Sequence, residues 1–553
     1  MGDVAVVLAM LLAVVASGYV VRMLPVALPL PLVQIGLGVL IASMGWHPVR
    51  LDPHTFFILF LPPLLFLDGW RIPKVGLFRD KNVILQLALG LVLFTVAGAG
   101  FLIHWLIPEL PLAVSFALAA ILAPTDPVAV ASIAARVPIP PRLMHILEGE
   151  SLLNDASGLV CFRFAVAAAL TGSFSLSSAA LTFLWVALAG VAAGVLVTLA
   201  LGGAQRLLAR RIGEEPGASI LLNLLLPFGA YLAAEHIGAS GILAAVAAGI
   251  TMSYVELRGG ALATTRVRRN VVWDTVQFSL NGVMFVLLGE QLPAIVQDAV
   301  HAAPDGADLA VPRDFWWLAG HALAISFGLI LLRLGWVWVS LRIANIAARR
   351  RGGAGLMPRK RLILATSLAG VRGAITLAGI LTLPLALPGG APFPGRDLAV
   401  FLASAVIVIS LVVASIGLPR VLRGLELPPE TEHELEEDRA RQAAALAALG
   451  AIDQAGHPDP FDEKDADIHA SAAEQVRGLY QHRLGVGAAG STHPARVRVA
   501  EEAERHYRLA ALAAERAVLQ QMALNKQLSD ETARRLVQEI DLIEARYRGS
   551  ALR

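Results

Sequence analysis

The chain has 553 residues, 56% of them hydrophobic, with a formal net charge of +2 and a mean hydropathy of +0.66. It is too apolar for a soluble protein of this size, and the near-neutral charge implies no nucleic-acid partner. The single cysteine, Cys161, excludes a disulfide framework and a cysteine-based metal site, and fits a small core residue.

Apolar runs near the length of a bilayer crossing recur along the chain. The first, Val4 to Val20, lacks the basic stretch that opens a cleaved signal peptide and is expected to stay as a membrane helix. The pattern predicts about thirteen spans, centred near Leu12, Leu37, Phe60, Leu93, Leu122, Leu159, Gly194, Leu226, Ala247, Val283, Leu329, Leu377 and Ile409. The stretch AEHIGASGILAAVAAG, around Gly238, reads as one kinked helix or two short ones. With thirteen spans, alternate connectors lie on opposite faces. One face then collects most of the basic residues, among them Arg71, Lys74, Arg79, Lys81, Arg206, Arg210, Arg211 and the run Arg349 to Arg351. The other holds little more than Arg50, Arg313 and Arg396. Basic residues favour the cytoplasmic side, so the N-terminus is expected outside and the C-terminus in the cytoplasm.

Residues 1–423 therefore read as a transmembrane domain and residues 424–553 as a charged, helical cytoplasmic region. That region opens on ETEHELEEDR, continues through the loose stretch HPDPFDEKDAD, and closes on two helical segments separated at Leu528 to Asp530. A regulatory or assembly element and a merely solubilising helix pair fit this pattern equally.

Charge at mid-bilayer costs about 2.5–3.5 kcal/mol on insertion scales, so each intramembrane polar residue needs a reason. Asp68, His104, Glu109, Glu235, Glu290 and Asp274 lie near predicted span ends, where interface or loop residence accounts for them. Three groups are different. In APTDPVA, within the fifth span, Pro124 and Pro127 each remove an amide donor, so the helix breaks around Thr125 and Asp126. Broken backbone at membrane depth is tolerated where it lines a cavity. In EGESLLNDASG, opening the sixth span, Ser151 and Asp155 lie one turn apart, as do Glu150 and Asn154. Glu150 and Asp155 diverge by about 140° around the axis and should serve different ends. Asp155, flanked by Ser151 and Asn154, can face the break. In LATSLAGVRGAITLAG, Arg372 between Gly370 and Gly373 suggests a second interrupted helix. Glu150 needs a cationic partner, with Arg333 of the preceding span the first choice and Arg372 the second.

The breaks fall in the fifth and twelfth of thirteen spans. With the seventh as a linker, these are corresponding positions of two inverted six-helix repeats, which points to a transporter with its site at the midplane. The expected fold class is thus an all-α polytopic membrane protein with interrupted crossing helices and a helical cytoplasmic tail.

The segments APTDPVAV, EGESLLNDASGLV and LAGVRGAITLAG, in this order and spacing, resemble the monovalent cation/proton antiporter-1 family of Na⁺/H⁺ exchangers, with bacterial NhaP-type and YjcE-like members the nearer look-alikes. The resemblance extends to PLPLVQIGLGVL, LPPLLFLDGW and AEHIGASGILAAVAAG, and into the tail at HYRLAALAAERAVL. It implies that Asp155 carries cation and proton, with Asp126, Thr125, Ser151 and Asn154 forming the cation site for Na⁺. It also implies a structural or modulatory part for Glu150, Arg333 and Arg372, a homodimer, and residence in the bacterial inner membrane. The pair Asn154–Asp155 marks the electroneutral branch of that family, whose electrogenic relatives carry two aspartates. Asp126 is followed by Pro127 where some relatives have alanine.

The chemistry fits that implication. Na⁺ and Li⁺ are hard cations that take oxygen ligands, which Asp155, Asp126, Thr125, Ser151 and unwound carbonyls offer. If proton and cation compete for the same oxygens and only the loaded site crosses, transport is coupled exchange. With Asn154 in place of a second carboxylate, one proton exchanges for one cation, and the membrane potential, worth about 2.3 kcal/mol per charge per 100 mV, does no work. Partners are then monovalent cations, protons and the lipid bilayer, with no cofactor. K⁺/H⁺ exchange is the alternative within this class, and a cation channel is a more distant one. The spans contain no Ser/His/Asp or histidine-cluster arrangement that would suggest an enzyme.

Overall fold

A computed structural model describes residues 2–24, 28–44, 53–72, 84–134, 141–171, 176–213, 215–257, 263–301, 314–350, 360–387, 390–423, 431–454, 471–478, 480–481, 494–525 and 530–548. Arg50, Lys74, Arg79, Lys81, Arg313, Arg351, the stretch HPDPFDEKDAD, Leu528 and Ser529 lie outside the described residues. The chain divides into two compact units, Met1–Glu426 and Leu427–Arg553.

The first unit is helical. It runs α1 (Gly2–Met23), α2 (Leu30–Ser43), α3 (Pro53–Arg71), α4 (Leu91–Leu106), α5 (Leu112–Leu122), α6 (Pro127–Ala134), α7 (Pro141–Thr171) and α8 (Leu176–Ile212). It continues with α9 (Pro216–His236), α10 (Gly241–Leu257), α11 (Ala263–His301), α12 (Phe315–Arg350), α13 (Lys360–Leu368), α14 (Ala374–Leu381) and α15 (Arg396–Leu422). Every span centre expected from the sequence falls within one of these helices. Eight helices among the described residues are long and apolar enough to cross a membrane. Large apolar side chains such as Leu12, Trp185 and Trp316 are exposed on their outer faces, as a lipid solvent requires.

The ambiguous stretch around Gly238 forms two helices. Glu215 caps α9 by accepting from the amides of Gly217 and Ala218, with Pro216 in the first helical position. Gly238, at φ +68°, ends it. The Gly238 amide returns to Glu235 and the Ala239 amide to Ala234, at 3.0 and 2.9 Å, which satisfies two terminal carbonyls before α10 starts.

A π-helical turn, Gln86–Gly90, precedes α4 and has no signature in the sequence pattern. Its carbonyls find partners on other helices. Ser157 Oγ donates to the Ala88 carbonyl at 2.9 Å and Trp336 Nε1 to that of Gln86 at 3.0 Å.

Within this unit α2 lies along α11, while α3 and α8 both lie along α10. A second set of contacts joins α5 to α4 and α7, and α12 to α4 and α15. The short helix α14 contacts α5, α11 and α15, and also touches α3.

The second unit contains α16 (Thr431–Gln454), α17 (Pro494–Leu524) and α18 (Asp530–Arg548). The last two pack as a hairpin that buries Leu512 and Ile540. Arg516 of α17 lies 2.7 Å from Asp541 of α18 and also bonds Glu544.

Candidate functional site

Two interrupted helices cross in the core of the first unit. Pro127 occupies the first position of α6, where its missing amide hydrogen costs nothing, and Pro124 cannot continue α5 beyond Leu122. The link 123–126 meets the second link, 369–373, through a backbone hydrogen bond from the Asp126 amide to the Val371 carbonyl, 2.7 Å long.

Four half-helix ends converge here, each with unsatisfied backbone groups and a partial charge. The two arginines serve the negative C-terminal ends. Arg372 donates from Nε to the Leu122 carbonyl at 2.8 Å, at the end of α5, and from Nη1 to the Gly370 carbonyl beyond α13. Arg333 donates from Nε to the Thr366 carbonyl in the last turn of α13, at 3.1 Å. The positive N-terminal ends receive a carboxylate. Asp126 Oδ1 accepts the Ala129 amide of α6 at 3.4 Å, and the Asp126 carboxylate lies directly over Gly373, where α14 begins. A Cβ at Gly373 would overlap that carboxylate, and one at Gly158 would overlap the Pro124 ring. Both glycines are therefore conditions of the crossing.

Glu150 and Asp155 separate as their spacing on α7 predicts. Glu150 is fully buried and forms a bidentate ion pair with Arg333, with Nη1 to Oε1 at 2.5 Å and Nη2 to Oε2 at 2.9 Å. Arg372 holds helix ends instead, so the first-choice partner is the one in place. The Thr125 hydroxyl donates to Glu150 at 3.3 Å and accepts from Asn154 Nδ2 at 3.0 Å. Ser151 Oγ donates to the Thr125 carbonyl at 2.8 Å, which fixes the break against α7.

Asp155 turns the other way, into a cavity between α3, α7, α11 and the crossing. Thr125, Asp126, Ser151 and Asp155 line it together, so the structure joins four of the five expected cation-site residues. Asn154 is not among the lining residues, because its amide is directed to the Thr125 hydroxyl. The cavity also has polar walls that sequence reasoning passed over. Asp68 lies near the end of α3, as expected, yet faces inward, and Gln277 and Asn281 of α11 lie beside it. The signal for the last two was available: polar residues four apart in an apolar segment share a helix face. Among the described residues no group of three or more His, Cys, Asp or Glu converges as a metal centre.

The carboxylates thus differ in commitment. Glu150 is neutralised by Arg333, and Asp126 serves two helix N-termini. Asp155 makes no hydrogen bond with the described residues and faces the cavity, as does Asp68. An oxygen pair without a fixed protein partner can hold a cation or a proton in turn. Of the other intramembrane polar residues, Glu235 pairs with Arg163 at 3.1 Å and His104 Nδ1 lies 2.9 Å from the Leu110 carbonyl. Glu290 is buried within α11 rather than lying at a helix end.

Comparison with known proteins agrees with this architecture. The profile described as "Sodium/hydrogen exchanger, transmembrane" matches residues 7–424. The chain is 42% identical to the uncharacterized Na⁺/H⁺ exchanger YjcE of Escherichia coli K12, over 98% of each chain. It is also 42% identical to a sodium, potassium, lithium and rubidium/H⁺ antiporter of Bacillus subtilis 168, over 75% of this chain and 61% of that one. Among solved structures, the sodium proton antiporter MjNhaP1 of Methanocaldococcus jannaschii superposes with a TM-score of 0.57 at 18% identity, covering 77% of this chain and 99% of that one, a likeness of fold. With most of the membrane unit matched, the chain belongs to the transmembrane sodium/hydrogen exchanger family.

Proposed function

We propose that this protein exchanges Na⁺, and also Li⁺, for H⁺ across the bacterial plasma membrane, with Asp155 binding cation or proton in competition. The observation that carries this reading is the cavity at the crossing of two broken helices, where Asp155, Asp126, Thr125 and Ser151 come together. Hard-oxygen ligands suit a monovalent alkali cation. Asp126 and the unwound backbone supply ligands, Ser151 positions the break, and Asn154 acts through Thr125 rather than at the cavity wall. The Glu150–Arg333 pair and Arg372 hold the crossing in shape.

With Asn154 where a second carboxylate could stand beside Asp155, one proton replaces one cation and the cycle moves no net charge. The thirteen spans form two inverted six-helix repeats that alternate access to the site, the protein works as a homodimer in pH homeostasis, and its N-terminus lies outside with the tail in the cytoplasm. The concentration of arginine and lysine in alternate connectors supports that orientation. K⁺ as a substrate is the second reading, favoured by the Bacillus subtilis relative, a sodium, potassium, lithium and rubidium/H⁺ antiporter.

The test is cation-induced dissipation of a pH gradient in proteoliposomes, for wild type and Asp155→Asn, with the voltage clamped at several values. Dissipation by Na⁺ but not choline, independent of voltage and abolished by the substitution, is the expected result. A current, or a fully active Asp155→Asn protein, would overturn the proposal, and a response to K⁺ alone would move the substrate.

A further inference from the structure

The stripe of α11 that reaches the cavity continues outward to an ion pair. Asp274, Gln277 and Asn281 follow one another at spacings of three and four and share a helix face. Gln277 and Asn281 line the cavity, whereas the Asp274 side chain is 64% exposed. Arg71, the last residue of α3, bonds the outer two residues of this stripe. Its Nη2 lies 2.5 Å from Asp274 Oδ1 and its Nη1 donates to Gln277 Oε1 at 2.8 Å. Arg71 also follows Asp68 by three residues, so one turn separates a guanidinium from a carboxylate in the cavity wall. The neighbouring arginine, Arg269, is held elsewhere, by Glu256 and over the Trp70 ring.

As a stabilising contact this pair is worth little. Exposed ion pairs contribute about 0–1 kcal/mol because water screens them and two long side chains must be ordered. Its position carries the consequence. A guanidinium on a short tether has a local concentration on the order of millimolar. Turned inward, it would meet Asp68 in the wall of a cavity that must accept a hydrated alkali cation. It would then act as a built-in competitor for the transported ion.

We propose that Asp274 is a positioning residue that, with Gln277, holds Arg71 outward at the mouth of the cation cavity and so sets the apparent affinity for the transported cation. This rests on the assignment of that cavity as the cation site.

The test is the Na⁺ dependence of exchange in proteoliposomes for wild type, Asp274→Asn, Arg71→Gln and the double variant, with Asp155→Asn as the inactive control. Release of Arg71 in Asp274→Asn should raise the apparent KM for Na⁺ about tenfold, or about 1.4 kcal/mol, with the maximal rate within about twofold of wild type. Arg71→Gln should keep the wild-type KM or lower it, and the double variant should match Arg71→Gln, since the competitor is gone. An unchanged KM in Asp274→Asn overturns the proposal. So does a raised KM that persists in the double variant, because Asp274 would then simply attract cations. A loss of maximal rate at constant KM overturns it as well. Failure of the underlying site assignment looks different: the wild type would show no cation-dependent exchange, or Asp155→Asn would remain active.

Discussion

Replacing Arg333 by methionine keeps much of the side chain's volume and removes its charge, leaving Glu150 without its ion-pair partner. Both side chains are essentially buried, at 2% and 0% exposure. At their separations of 2.5 and 2.9 Å the attraction is about 6 kcal/mol with an effective dielectric of about 20, offset by several kcal/mol of desolvation for each ion. The net worth of the intact pair is therefore modest, whereas breaking it is costly. Arg333→Met should destabilise the folded protein by about 3–5 kcal/mol. Of this, about 1–3 kcal/mol comes from the Thr366 carbonyl left without its donor. Glu150→Met should cost a similar amount, and the double variant clearly less than the sum, with a coupling of about 2 kcal/mol. Arg333→Lys, which keeps the charge but loses the fork, should fall between wild type and Arg333→Met. Denaturant unfolding in detergent, followed by the fluorescence of the nine tryptophans, reads these differences. Single variants unfolding at the wild-type midpoint, or strictly additive losses, would refute the reasoning.

The crossing makes further demands. Gly373→Ala should displace the Asp126 carboxylate and raise the apparent KM for Na⁺ at least about tenfold, read as the Na⁺ dependence of exchange; a wild-type KM would remove Asp126 from the site. Ser157→Ala takes the donor from the Ala88 carbonyl in the π-helical turn and should cost about 1–3 kcal/mol of stability with transport largely retained. Unfolding and exchange measured on the same preparation check it, and unchanged stability would count against the cross-helix bond.

Both broken helices were legible because their cause is local. Two prolines cannot continue α5, and glycines beside an arginine mark the end of α13. The divergence of Glu150 and Asp155 was equally legible, since helix geometry alone separates residues five apart. Asp68 was misjudged for a specific reason. Sequence position placed it near the end of α3, as it is, but the face it presents depends on how α3 packs against α14 and α7. Asn154 shows the same limit: the family resemblance implied a place in the cation site, while the crossing brings over the Thr125 hydroxyl, which its amide bonds.

By itself, then, the sequence determined the membrane environment, the helix positions, the two interruptions and the family, because hydrophobic period, backbone chemistry and motif spacing are all written in neighbouring residues. The tertiary structure alone decided that Arg333 rather than Arg372 neutralises Glu150, and that Arg372 holds the end of α5. It also decided that Asp68, Gln277 and Asn281 complete the cavity wall. These pairings join residues as many as 183 to 250 positions apart, and a side chain's partner at that range is set by how helices rotate and approach one another, not by its own neighbours in the chain.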